Sequence, residues 1–145
     1  MKIVLQRVKN ASCTVDGKIT GEINKGYLLL VGFTHTDNQE TLIKACKKVS
    51  NLRIFVDDNG KMNLNLQTVG GDILSISQFT LYANTNDGNR PSFTDAMEPN
   101  QAKKLYLQFN DMLRNNGFKV YEGIFGAHME IRLLNDGPVT IQYEF

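Results

Sequence analysis

The chain has 145 residues, 41% hydrophobic and 21% charged, which suits one globular domain and excludes a globally disordered chain. Its 16 basic and 15 acidic residues leave a formal net charge of +1, so a nucleic-acid partner would have to meet a local basic patch and not a bulk positive field. The start, Met1 to Arg7, is interrupted by charge at Lys2 and Arg7, too short an apolar stretch for a signal peptide, and no apolar run nears membrane-spanning length. Cys13 and Cys46 belong to no CxxC pair or histidine cluster. The reading is a cytoplasmic protein with reduced cysteines, no metal and no cofactor.

In chain order, Asp16-Gly17 is the first turn signal. Tyr27 to Phe33 is a continuous apolar run, fit for a strand covered on both faces. Leu42, Ala45, Cys46 and Val49 follow at helical spacing, with Asp37 and Glu40 placed as a capping box and Lys44, Lys47 and Lys48 on the other face. Leu52 to Val56 reads as a strand, Asn59-Gly60 as a turn, and Ile73 to Leu81 as a longer strand.

The polar stretch from Ala83 to Glu98, which holds Asp87-Gly88 and Pro91, reads as a long surface loop of the kind that often carries function. Ala102, Leu105, Tyr106, Phe109, Met112 and Leu113 mark a second helix, with Pro99 near its start and Gly117 just past its end. The chain closes on clean alternation, with Val139, Ile141, Tyr143 and Phe145 on one face and Thr140, Gln142 and Glu144 on the other. This order predicts one mixed α/β domain over residues 1–145. It is a mainly antiparallel curved sheet or half-barrel with two principal helices packed on it, layered α/β/β.

The sequence has no Gly-rich phosphate loop, no HExxH and no GxSxG elbow. His35 and His128 are its only histidines, and no Ser/His/Asp or Cys/His triad can be assembled from them. Two polar segments stand out. Ser77-Gln78-Phe79-Thr80-Leu81 closes an apolar strand; if it stays extended, Gln78 and Thr80 share a face and Ser77 takes the other. It reads either as a pocket mouth or as the solvent face of a half-buried strand. Asn135-Asp136-Gly137-Pro138-Val139-Thr140 puts proline where it cannot donate to a ladder, at a strand start or edge, and by itself reads as a turn.

Together, these two segments resemble the signature of the D-aminoacyl-tRNA deacylase family. Gln6-Arg7-Val8, Val15-Asp16-Gly17, Asn51-Leu52-Arg53-Ile54-Phe55, Gly60-Lys61-Met62-Asn63 and Arg90-Pro91-Ser92-Phe93 are similar to family segments in family order, so the resemblance spans the chain. His128 and Arg132 depart from the pattern, and Asn84 to Asn89 lacks the basic residues expected there.

The resemblance implies a hydrolase that cleaves the ester joining a D-amino acid, or glycine, to the 3′-terminal adenosine of tRNA. It implies that Ser77, Gln78, Phe79 and Thr80 form an oxyanion pocket and that a substrate ribose hydroxyl assists the attacking water, with Thr80 as nucleophile the rival route. It further implies a cis Gly137-Pro138 bond that reaches into the site of a second subunit of a homodimer and excludes L side chains, with Arg7 as its brace. Lys44, Lys47 and Lys48, or Lys103 and Lys104, are the candidate RNA contacts; a solvated helix face also explains each cluster. The alternatives are a small Thr80-dependent esterase on non-RNA substrates and a noncatalytic dimeric ligand-binding module.

Overall fold

The computed structural model describes residues 1–145. Strand β1 (Lys2–Val15) is the spine of a six-stranded sheet. On one side its first half pairs antiparallel with β3 (Gly26–Gly32) and its second half with β2 (Lys18–Ile23). The β1–β2 turn is Asp16-Gly17, with φ of 49° and 74°, the positive pair that a tight hairpin requires. Beyond β3 lie β6 (Asp72–Ser77) and β7 (Val120–Glu122), both parallel. Strands β4 (Arg53–Val56) and β5 (Met62–Asn65) form a separate antiparallel hairpin.

The last strand, β8 (Glu130–Glu144), runs antiparallel along the whole other side of β1 and forms the sheet edge. The sheet curls until β2 meets β7, where a Cβ on Gly21 would lie 3.0 Å from the Glu122 carbonyl. The curved half-barrel expected from the sequence is therefore present.

Burial drives two cores onto opposite faces of this sheet. The larger packs Ile3, Leu5, Leu29, Val31 and Ile73 under the helices α1 (Gln39–Asn51) and α2 (Pro99–Asn115). The smaller fills the curl with Val8, Cys13, Leu28, Leu74 and Ile76. The β3 run Tyr27-Leu28-Leu29 supplies both, which is why it is apolar without alternation. Both cysteines are buried and unpaired. No helix is long and apolar enough to cross a membrane.

The apolar stripe of α1 is fully buried, but its cap is not Asp37. Asn38 Oδ1 accepts from the Glu40 and Thr41 N–H groups, and the Thr41 hydroxyl accepts from the Asn38 N–H. Asp37, buried one residue earlier, accepts from the Met1 amino group at 2.5 Å and the Thr34 N–H at 2.7 Å. Helix α2 opens with Pro99 at its first turn under a Glu98 cap and closes at Gly117, φ 92°, as expected.

The strand expected over Ile73 to Leu81 stops at Ser77. Gln78 bends at φ −143°, ψ 80°, and Phe79–Tyr82 form one 3-10 turn, so the extended strand on which the face assignment depended is absent, and the Gln78 and Thr80 side chains meet across the turn instead. Pro138 does not start a strand either; β8 runs through it on the open edge. The alternating face of Val139, Ile141, Tyr143 and Phe145 packs on the chain's own larger core.

Candidate active site

Strand β6 delivers its polar end to a concave surface. The Gln78 N–H donates to the Val31 carbonyl at 2.7 Å, and a Cβ at Gly32 would lie 2.8 Å from the Gln78 carbonyl. The chain therefore turns here against the end of β3, at a spot only glycine opens. The first N–H groups of a helical turn have no partner within it. The N–H groups of Phe79 and Thr80 accordingly have no acceptor within the chain, whereas those of Leu81 and Ala83 bond back to Gln78 and Thr80.

Beside this bend lies a cavity of about 240 Å³. Ser77, Gln78 and Phe79 line it, with Phe33, Met97, Phe125 and Met129 as apolar walls and His128 at its exposed rim. Thr80 is exposed and outside this lining. The Thr80 hydroxyl accepts a hydrogen bond from Gln78 Nε2, an amide that cannot take its proton. Neither histidine bonds Ser77 or Thr80; His35 is tied to the Thr94 carbonyl at 2.7 Å. The exposed Phe79 ring meets Phe93 edge-on, with centroids 4.9 Å apart. Sequence reasoning gave no role to Gly32, Phe93, Phe125 or Met129. Phe93 had a signal in Arg90-Pro91-Ser92-Phe93; Gly32 had none beyond its place at the end of an apolar run.

The second motif is an excursion in the β1–β8 ladder. Gln6 faces Thr140 and Val8 faces Asn135, so the four residues 136–139 stand opposite Arg7 alone. The Gly137–Pro138 bond is cis, and both residues are exposed.

Two side chains hold the excursion. The Asn135 side chain accepts from the Val139 N–H at 2.8 Å and donates to the Thr140 hydroxyl at 3.1 Å. Arg7, buried, donates from Nε to the Asp136 carbonyl at 2.8 Å and from a terminal nitrogen to the Ile54 carbonyl. Its nearest carboxylate, that of Asp136, is 3.8 Å away. Gly137 has φ 142°, and a Cβ there would meet Val139 Cγ2 at 2.7 Å and Arg7 at 3.2 Å. Within one chain Gly137 and Pro138 do not line the cavity at Ser77.

The family model described as D-Tyr-tRNA(Tyr) deacylase matches residues 4–144. The chain belongs to this family. It is 55% identical over 141 residues to a D-aminoacyl-tRNA deacylase of Deinococcus radiodurans, covering 97% of each chain. It is 54% identical over 144 residues to one of an Exiguobacterium strain, covering 99% and 98%. Among solved structures it superposes on one described as c-Myc DNA Unwinding Element Binding Protein, with TM-score 0.94, 39% identity and coverage of 100% and 99%. A probable eukaryotic D-amino acid tRNA deacylase shares the fold at TM-score 0.86 and 17% identity, covering 98% and 97%. As a member of the deacylase family the chain is a hydrolase.

Proposed function

We propose that this deacylase hydrolyses the ester of D-aminoacyl-tRNA, and of glycyl-tRNA, releasing the free amino acid and intact tRNA in the cytoplasm. The carrying observation is the pair of unpartnered N–H groups on Phe79 and Thr80 beside the cavity. Water adds to the ester carbonyl carbon, the carbonyl oxygen gathers negative charge, and the bond to the ribose oxygen breaks as that oxygen takes a proton. Backbone donors aimed at the charged oxygen lower this barrier by about 3–4 kcal/mol for one good donor. Ser77, Gln78, Phe79 and Thr80 form that pocket, and the 3′-terminal adenosine docks beside it. The names of the relatives at 55% and 54% identity support the substrate class.

A protein base is not required in this scheme, because the neighbouring ribose hydroxyl of the substrate assists the water. The absence of a base beside Thr80 favours this route over a threonine nucleophile, which needs one.

Chirality is read by Gly137 and Pro138 of a second copy. Their exposed main chain, held by Arg7 and Asn135 and remote from its own cavity, enters the partner's site. There the two carbonyls face the α-amino group and leave no room for an L side chain. A D side chain points outward and glycine passes, which is exclusion and not recognition. A two-fold homodimer follows, since each subunit completes the other. Phe79, Ile124 and Leu134, 58%, 48% and 52% exposed, supply apolar surface for it.

The test is a deacylation assay on D-, L- and glycyl-tRNA. D- and glycyl-tRNA should be hydrolysed and L-aminoacyl-tRNA spared. Hydrolysis of simple D-amino esters with no gain from tRNA would instead make the protein a small esterase. Tight binding without turnover would make it a noncatalytic binding module.

A further inference from the structure

Away from the cavity, the exposed face of α1 meets the end of β8 in a groove of about 750 Å³. Lys44, Lys47, Lys48 and Arg53 line it together with Tyr143 and Phe145. From residue 41 to residue 56 the chain carries these four cations and no carboxylate. None of the four takes part in a salt bridge. Arg53 is anchored through Asn63, and Asp57, in the β4–β5 turn, lies within its electrostatic reach. Glu144 projects from the opposite face of β8, toward Lys2. In a chain of net charge +1 this is a local excess of positive charge, flanked by Glu40 at the start of α1 and by Asp57 but closed into no ion pair.

The Tyr143 and Phe145 rings stack on each other, with centroids 5.6 Å apart and planes 27° apart. Cations in a groove beside an aromatic platform suit single-stranded nucleic acid, whose phosphates take the charge and whose bases take the rings. An acidic peptide would use the lysines and leave the rings idle. The groove and the cavity lie at the two ends of one register row: Ser77 pairs with Val31, Val31 with Ile3, and Ile3 with Tyr143. The row spans three strand steps, about 14 Å at ~4.8 Å each; its middle residues are buried under the helices, so a strand reaching both sites passes over the surface and not along the row.

We infer that the groove between α1 and the end of β8 binds the sugar-phosphate backbone of the tRNA acceptor end, fixing the strand whose last nucleotide enters the cavity. This rests on the proposed tRNA substrate. The other candidate pair, Lys103 and Lys104, lines neither this groove nor the cavity.

The test is the affinity of the whole protein for uncharged tRNA, read by fluorescence anisotropy across a salt series. Replacing Lys44, Lys47 and Lys48 together by Gln should raise Kd at least ten-fold at about 0.1 M salt and lower the slope of log Kd against log salt by about 2, three contacts at ~0.7 each. Tyr143→Ala should weaken binding by at least five-fold with the slope unchanged, because stacking carries no charge. The Gln variant should also lower kcat/KM for D-aminoacyl-tRNA at least ten-fold relative to that for D-aminoacyl-adenosine, which lacks the acceptor strand.

Unchanged tRNA affinity and slope in the Gln variant would overturn the inference. So would an equal effect from Lys103→Gln with Lys104→Gln, or loss of poly-glutamate binding with tRNA binding intact. Unfolding is checked by the thermal midpoint, and the single variants Lys44→Gln and Lys47→Gln then carry the test. If the unaltered protein binds tRNA through these residues but hydrolyses no D-aminoacyl-tRNA, the proposed function fails and the groove stands.

Discussion

The Arg7 side chain is joined to the Asp136 main chain: the buried guanidinium donates to the Asp136 carbonyl at 2.8 Å, immediately before the exposed Gly137–Pro138 pair. The same side chain reaches the Ile54 carbonyl, so it ties the excursion in β8 to the β4 strand below.

Arg7→Lys should be destabilising, because one ammonium cannot reproduce a planar fork on two carbonyls. Losing one charge-assisted bond in a buried setting costs about 1.5–3 kcal/mol, read as a lower urea midpoint at unchanged slope. Discrimination between D- and L-aminoacyl-tRNA should narrow as well. A variant with unaltered stability and selectivity would show that Arg7 is not a brace.

Gly137→Ala meets two obstacles, φ 142° and a contact of 2.7 Å to Val139 Cγ2. The excursion must shift, at a cost of about 1–3 kcal/mol. Turnover of D-aminoacyl-tRNA should fall at least ten-fold while far-UV circular dichroism stays unchanged. Activity equal to that of the parent would remove Gly137 from the site.

Thr80→Ala keeps the backbone N–H and removes a hydroxyl whose only side-chain partner is the Gln78 amide. Under the substrate-assisted route kcat should fall by less than ten-fold, whereas removing an essential donor costs about a hundred-fold or more. Near-complete loss in a folded protein would favour the threonine nucleophile.

Leu134→Glu tests the dimer. This side chain is 52% exposed, so a charge there costs a monomer little and an apolar interface much. Light scattering should report a monomer, and D-aminoacyl-tRNA turnover should fall with it. A variant that stays dimeric and active would place the interface elsewhere.

Glu98 supplies an acid-limb prediction. Its carboxylate accepts the Asn100 and Gln101 N–H groups at 3.0 and 3.1 Å, and these bonds hold its pKa below the ordinary 4.5. A depressed folded-state pKa adds stability above the unfolded value and loses it as pH falls through the folded one. Between pH 4.5 and the lower folded pKa, stability should therefore decline more steeply in the parent than in Glu98→Gln. Parallel acid limbs would show that the cap contributes nothing there.

Much of the fold was legible because local chemistry and packing agreed. The stripe Leu42, Ala45, Cys46 and Val49 is the buried face of α1, and Asp16-Gly17 and Gly117 sit at the positive φ their turns need. The helix cap was misplaced by one residue because Asp37 is a competent cap in sequence but is consumed by Met1 and Thr34, partners brought by tertiary structure. The end of β6 was hidden for the same reason. Ser77 to Leu81 keeps a strand-like pattern, and the bend comes from Gln78 packing against Val31 and Gly32. The two motifs were visible as sequences. That they lie apart within one chain follows from the strand order, which no local pattern encodes.

Strand β1 is translated well before its outer neighbour β8, with Lys2 opposite Glu144. At a synthesis rate of ~5–20 residues per second, the outer edge of β1 waits roughly 6 to 26 s for its partner to emerge from the ribosome. Open strand edges invite pairing with foreign chains, and pairings this distant in sequence form slowly. Exposed Lys9 and Asn10, at a register shift in that ladder, place charge and irregularity on the nascent edge while it stands open.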